Sequence, residues 1–243
     1  MITKDKYGAL SQIQPDGTLE GGDSAVWTGH YLYLTGEKYP FVETFEVKPG
    51  AYVRHPDPKM TNNGFGAYYK HPWAGCISRD QLTGIIAGLI SQKKRLSLLR
   101  LIIHHGFRLF LFSYNTIDNG KDPDTAAWKF PDLTLFDIWS MYLRGFGILS
   151  FLFWPILCVL DLHLLLNTIH VNRDGDDDQI NYAIKLFIAV EHVPTPTSKL
   201  SFSLLNKSSL LKKIHNYWCG WRNNCDMYYL YFNKFKELRN VSK

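Results

Sequence analysis

The chain has 243 residues, 46% of them hydrophobic and 15% aromatic, which is enough to bury a large core and too much for a disordered chain. Its formal net charge of +5 is mild and no long Lys/Arg block accompanies it, so nucleic acid is not expected as a partner. The four cysteines, Cys76, Cys158, Cys219 and Cys225, form no CxxC pair, which speaks against a zinc ribbon or a thioredoxin-like motif.

The first residues, Met1-Ile2-Thr3-Lys4-Asp5-Lys6, lack the apolar run of a secretory leader, and a cytoplasmic location is expected. A loop rich in Gly and Asp precedes a helix predicted over 23–34, where Val26, Trp27, Tyr31 and Leu34 recur at helical spacing. Residues 37–73 are rich in Pro, Gly and aromatics and read as a long structured loop, with a short strand expected near 43–47. A helix then opens at Ser78, where Ser78 and Gln81 fit a capping box and Ile85, Ile86, Leu89 and Ile90 supply an apolar face. Further helices are predicted near 96–112, 134–144, 148–171, 179–192 and 198–205, and the aromatic tail over 210–238 reads as helical.

The stretch 145–160 carries no charge. A spanning helix needs about 20 apolar residues, and here Asp161 and His163 arrive early and Pro155 interrupts. A central helix buried on all sides is the expectation, with a membrane segment as the alternative. Lys93, Lys94, Arg95, Arg100 and Arg108 flank apolar residues, consistent with a solvated helix face or a helix on a membrane surface. Cys219 and Cys225 could meet in a disulfide, and free thiols in a reducing compartment fit the same count.

Three polar clusters stand at predicted helix starts or in constrained loops. In Glu20-Gly21-Gly22-Asp23-Ser24 the glycines allow a tight turn and Asp23 or Ser24 can cap the following helix. Arg54-His55-Pro56-Asp57 is held extended by its proline. In Ser78-Arg79-Asp80-Gln81 capping explains every residue but Arg79, a cation at the positive end of a helix. Glu20, Asp23, His55 and Asp80 are therefore the candidate catalytic residues, with Trp27, Arg54 and Arg79 as substrate-binding neighbours.

Later in the chain His163, Asn167 and His170 share one helix face beside Asp161, and Asp178 and Asn181 open the next helix. Asp161, His163, Asn167, Asp178 and Asn181 are candidate cavity-lining, substrate-binding residues, and Asp161, His163 and Asn167 are expected to be buried and hydrogen-bonded. EF-hand registers counted from Asp16 and from Asp174 place Trp27 and Lys185 where a glutamate is required. No metal and no cofactor is expected.

The succession DGxLEGGDSAxWxG (16–29), YVRHPD (52–57), SRDQLTG (78–84), KFPD (129–132), DLxLLLNT (161–168) and DDxxNY…PTPxS (177–198) resembles a family of uncharacterised bacterial and phage proteins. The resemblance covers most of the chain and carries no catalytic residues over. The loop-then-helix layout is also similar to that of α/α toroids that process carbohydrates. The expected fold is all-α, a single domain over 1–243 of antiparallel helical hairpins, in the form of an incomplete α/α toroid. The expected function is that of a carbohydrate-directed, glycoside hydrolase-like enzyme acting on an oligosaccharide, with Trp27, Tyr52, Trp73 and Trp128 as stacking platforms. The alternative is a non-enzymatic, membrane-associated or structural (virion) protein.

Overall fold

The computed structural model describes residues 1–60, 79–103, 136–170, 176–205 and 207–241. Ser78, Cys76, Trp73, Trp128 and Arg108 lie outside the described residues, as do the side chains of Arg79, Asp80, Asn167, His170 and Asp178. The chain is mostly helical, and two small antiparallel sheets correct the expectation of an all-α fold. It divides into two compact units, Met1–Leu135 and Phe136–Lys243.

Unit 1 begins with three strands the helical periodicity did not disclose: β1 (Ile2–Lys4), β2 (Leu10–Ile13) and β3 (Leu19–Glu20), paired antiparallel in that order. Asp16-Gly17 turns the second hairpin. Gly17 takes φ +81, and Asp16 accepts from the Thr18 amide and hydroxyl at 2.9 and 2.6 Å. Helix α1 (Ser24–Thr35) follows, then α2 (Phe41–Phe45), a single turn where a strand was expected. The strand forms one step later, as β4 (Glu46–Lys48) pairing with β5 (Ala51–Tyr52).

Helix α3 (Arg79–Ser91) packs on α1 at a glycine crossing. A Cβ on Gly29 would stand 1.8 Å from the Gly84 carbonyl oxygen, and one on Gly84 would stand 2.3 Å from Val26 Cα. Only glycines admit backbones this close. The crossing seals Trp27, Leu82, Ile85 and Ile86, all fully buried. Lys93, at φ 56, then turns the chain into α4 (Arg95–Leu101). The helix expected over 96–112 is described only as far as Ile103.

Unit 2 runs through α5 (Phe136–Arg144), a 3-10 segment (Gly147–Phe153), α6 (Trp154–His170), α7 (Asp176–Glu191), α8 (Pro196–Leu204), α9 (Lys207–His215), a π-helical turn (Asn216–Trp221) and α10 (Cys225–Val241). Pro155 accounts for the 3-10 break: it lacks an N–H and fits only the first turn of a new helix. The helix expected over 148–171 is thus two elements. The tail is likewise broken, at Asn223, which takes φ 50, and Cys219 and Cys225 join across the break in a disulfide with Cα atoms 4.5 Å apart. Among the described residues Cys158 is a free thiol.

The helix buried on all sides is α7, not α6. Every residue of 179–190 is buried, whereas among the described side chains of α6 only the stripe Leu157, Leu160, Asp161, Leu164 and Thr168 is buried. Aromatic contacts bind α7 to its neighbours: Phe187 meets Phe235 edge-on at 4.6 Å, and Phe235 stacks with Phe202 at 6.1 Å.

Candidate functional site

Polar side chains gather where α1 and α3 begin in unit 1. His55 lies at the centre, its side chain fully buried, with Nε2 2.6 Å from Asp5 Oδ2. The Asp57 amide donates to His55 Nδ1 at 2.9 Å, and in the tautomer that fits this bond Nε2 carries the proton and donates to Asp5. Asp5 is held in turn. Its Oδ1 accepts the Tyr7 and Ala9 amides at 2.8 and 3.1 Å, and its Oδ2 accepts the Ser11 hydroxyl at 2.9 Å. Ser11 continues to Ser24 Oγ, also at 2.9 Å. Both ring nitrogens are engaged and the ring is sealed, so His55 as placed has no nitrogen left for a substrate.

The first two sequence clusters meet around this pin, and Gln81 of the third reaches them. A Cβ on Gly21 would stand 2.4 Å from His55 Cδ2, so the Gly-Gly pair lets the loop close over the ring. The Ala25 amide donates to the Arg54 carbonyl at 3.0 Å, and the Gly21 amide to the Met60 carbonyl at 2.5 Å. Gln81 Nε2 reaches across to the Gly22 carbonyl at 2.9 Å and Asp23 Oδ1 at 3.1 Å. Gln81 therefore ties α3 to the start of α1.

Neither side chain expected to cap α1 does so. Asp23 occupies the N-cap position without a side-chain cap bond, and Ser24 is turned to Ser11. Glu20 Oε1 accepts the Gly22 amide at 2.6 Å. Asp57 accepts the Lys59 amide at 3.1 Å and faces Lys6 at 3.4 Å, and the amide bond, then the lysine, hold its carboxyl below the usual carboxylate range. Glu20, Asp23 and Arg54 remain half-buried at the edge of the cluster, while Trp27 and Tyr52 are fully enclosed and offer no face to a sugar ring. Arg79 and Asp80 open α3 immediately before Gln81, which puts their backbone at the same place.

Asp5 is the residue that sequence reasoning missed. Its signal was present in Asp5-x-x-Gly8, a turn whose last residue takes φ +73.

The remaining candidates belong to unit 2. Asp161 is fully buried and bonded, with Arg144 donating to its two oxygens at 3.0 and 2.7 Å, Ser140 at 2.8 Å and Thr195 at 2.5 Å. Arg144 also donates to the Ser140 hydroxyl and, through Nε and Nη2, to the Val193 carbonyl at 3.2 and 2.9 Å. Thr195 additionally caps α8 in a reciprocal box with Ser198, ahead of Pro196. Asp161 is thereby a hub joining α5, α6 and the start of α8. Asn181 is buried on α7, and His163 is only half-buried.

The exposed residues on the outward side of α6 are apolar, with the half-buried His163 on the same side. Ile156, Val159, Leu162 and Leu166 repeat at helical spacing opposite the buried stripe, and Ile148, Leu149, Phe151 and Leu152 extend the exposed surface through the 3-10 segment. Ile148 is 77% exposed and Leu152 76%. The 20 residues Gly147–Leu166 are the one stretch among the described residues long and apolar enough to cross a membrane. The expectation of a helix buried on all sides fails here because no described element covers the outward stripe.

Among the described residues no group of three or more His, Cys, Asp and Glu side chains is placed to hold a metal ion. Comparison with protein-family models, with curated proteins and with solved structures gives no match for this chain.

Proposed function

We propose that the protein is membrane-associated and that unit 2 seats the outer face of its 3-10 segment and α6 against lipid. The exposed row from Ile148 to Leu166 is the observation that supports it. Contiguous apolar surface of this kind on a soluble monomer marks an interaction site. A helix that is apolar all round belongs in a core or a bilayer, and α6 has one side packed on unit 2. That disposition suits a helix lying along the bilayer surface, since its packed side carries the Asp161–Arg144 pair, which needs its polar partners and no lipid.

The test is flotation of the full chain with phosphatidylcholine vesicles. The wild type should float, and Ile148→Ser/Leu152→Ser should remain in the aqueous fraction with an unchanged melting temperature. Wild-type protein that stays with the aqueous fraction would overturn the proposal.

The second reading is a carbohydrate-directed enzyme in an incomplete α/α-toroid arrangement, with an oligosaccharide held at the starts of α1 and α3. The gathering of Glu20, Asp23 and Gln81 there favours it, and the burial of Trp27 and Tyr52 weighs against it. Glu20→Gln and Asp23→Asn should then abolish reducing-sugar release from an oligosaccharide panel without loss of folding. No release by the wild type from any member would remove it.

A further inference from the structure

A second apolar surface lies on unit 1, in α4. Ser97, Leu98 and Leu101 are buried on one side of that helix. The opposite side carries Leu96 and Leu99, 61% and 41% exposed, and Ile103, 65% exposed, follows two residues past the end of α4 in the continuing helical turn. At about 100° per residue these three fall on one narrow stripe, and the exposed Arg95 and Arg100 fall on its two edges. Lys93, also exposed, precedes the helix, while Lys94 is paired with Glu43 at 3.4 Å.

An apolar stripe edged by arginines is the arrangement of a helix that lies in the headgroup layer. The leucines and isoleucine enter the acyl boundary, and the arginine stems follow them while the guanidinium heads stay at the level of the phosphates. Charge decides between occupants. A second copy docked on the same stripe would bring arginine edges against arginine edges, whereas an anionic lipid surface complements both edges at once.

We propose that α4 is an interfacial helix that seats unit 1 on an anionic lipid surface, with Leu96, Leu99 and Ile103 entering the lipid and Arg95 and Arg100 binding its headgroups. The observation is independent of unit 2, and the inference rests on the membrane reading only in requiring a bilayer as the partner.

The experiment measures partitioning of the full chain onto phosphatidylcholine vesicles with and without phosphatidylglycerol, at low and high salt. Binding should be tighter to the anionic vesicles, and the difference should shrink with salt. Arg95→Gln/Arg100→Gln should weaken anionic binding by about 25-fold, towards the value on neutral vesicles. Arg95→Lys/Arg100→Lys should retain it, and Leu96→Ser/Leu99→Ser should weaken binding to both vesicles, all with wild-type circular dichroism. Equal, salt-insensitive binding to the two vesicles, or an anionic preference unmoved in the glutamine variant, would overturn this inference and leave the unit 2 proposal standing. No binding to either vesicle would overturn both. Self-association that Leu96→Ser/Leu99→Ser abolishes, without vesicle binding, would assign the stripe to a second copy and overturn the lipid assignment.

Discussion

The two units solve the same packing problem in opposite ways. In unit 1 the apolar helix α3 disappears against α1 because Gly29 and Gly84 let the backbones touch, and its residues from 81 to 90 are buried all round. In unit 2 the most apolar helix, α6, buries one stripe, and the buried centre passes to α7, a helix that carries Gln179, Asn181 and Lys185 inside. The contrast teaches that apolarity does not rank helices by burial. What ranks them is whether a neighbour has a surface that fits, and a glycine crossing supplies a closer fit than a bilayer-like stripe of Ile, Leu and Val.

The sharpest way to break this contrast is to remove one member of the unit 2 hub. Asp161→Leu strands Arg144 in a wholly buried place, and loss of one partner of such a pair costs about 3–5 kcal/mol. Denaturant melts should show that loss, while Asp161→Leu/Arg144→Met together should recover much of it. A single variant as stable as wild type would show that the pair is not what joins α5, α6 and α8.

The corresponding break in unit 1 is Gly84→Ala. The added methyl meets Val26 Cα and the Ala25 and Val26 carbonyl oxygens, none of which can turn aside. Overpacking typically costs about 1–3 kcal/mol, and contact with fixed backbone belongs at the upper end. Thermal melts should register it, whereas Gly220→Ala, which meets nothing within 4 Å, should be close to neutral.

The outer stripe of α6 sharpens the comparison from the other side. Leu162→Ser and Leu166→Ser should change stability by no more than about 0.5 kcal/mol, the range for surface sites, whereas Leu157→Ala and Leu164→Ala on the buried stripe should cost about 2–5 kcal/mol. Equal costs on the two stripes would mean that the outer stripe is covered in solution.

The smallest effect is one of pH. Burial, the first cause, holds the His192 imidazole below its usual 6.5, with Glu191 opposing and Lys234 and Arg144 reinforcing. As pH falls through that usual value the unfolded chain takes up the proton before the folded one, so this residue lowers stability in acid. The contribution is absent well above pH 6.5 and complete once pH lies below the depressed folded value. His192→Gln should narrow the difference between denaturation midpoints at pH 7 and pH 5. An unaltered difference would assign the acid sensitivity to other groups.

Most of the helices were legible from apolar periodicity, because a helix that packs must repeat its apolar residues near every third and fourth position. The start of α8 was legible in principle too, since Thr195-Pro196-x-Ser198 is a capping sequence, although the periodic run suggested a start at Ser198. The strands β1 to β3 were not legible, being two to four residues long and too short for an alternation to show. Within the candidate cluster, residue types placed His55, Glu20 and Asp23 among polar loops, but not the sealing of His55 by Asp5 across 50 positions of sequence. No local pattern records a pairing that distant. The sequence by itself determined a mostly helical chain with an uncharged run before Asp161. Only the tertiary structure decided that Asp161 faces inward to Arg144, that the run's other side faces outward, and that Trp27 is core. Which side of a helix is covered depends on the shape of its neighbours, and those neighbours come from distant parts of the chain.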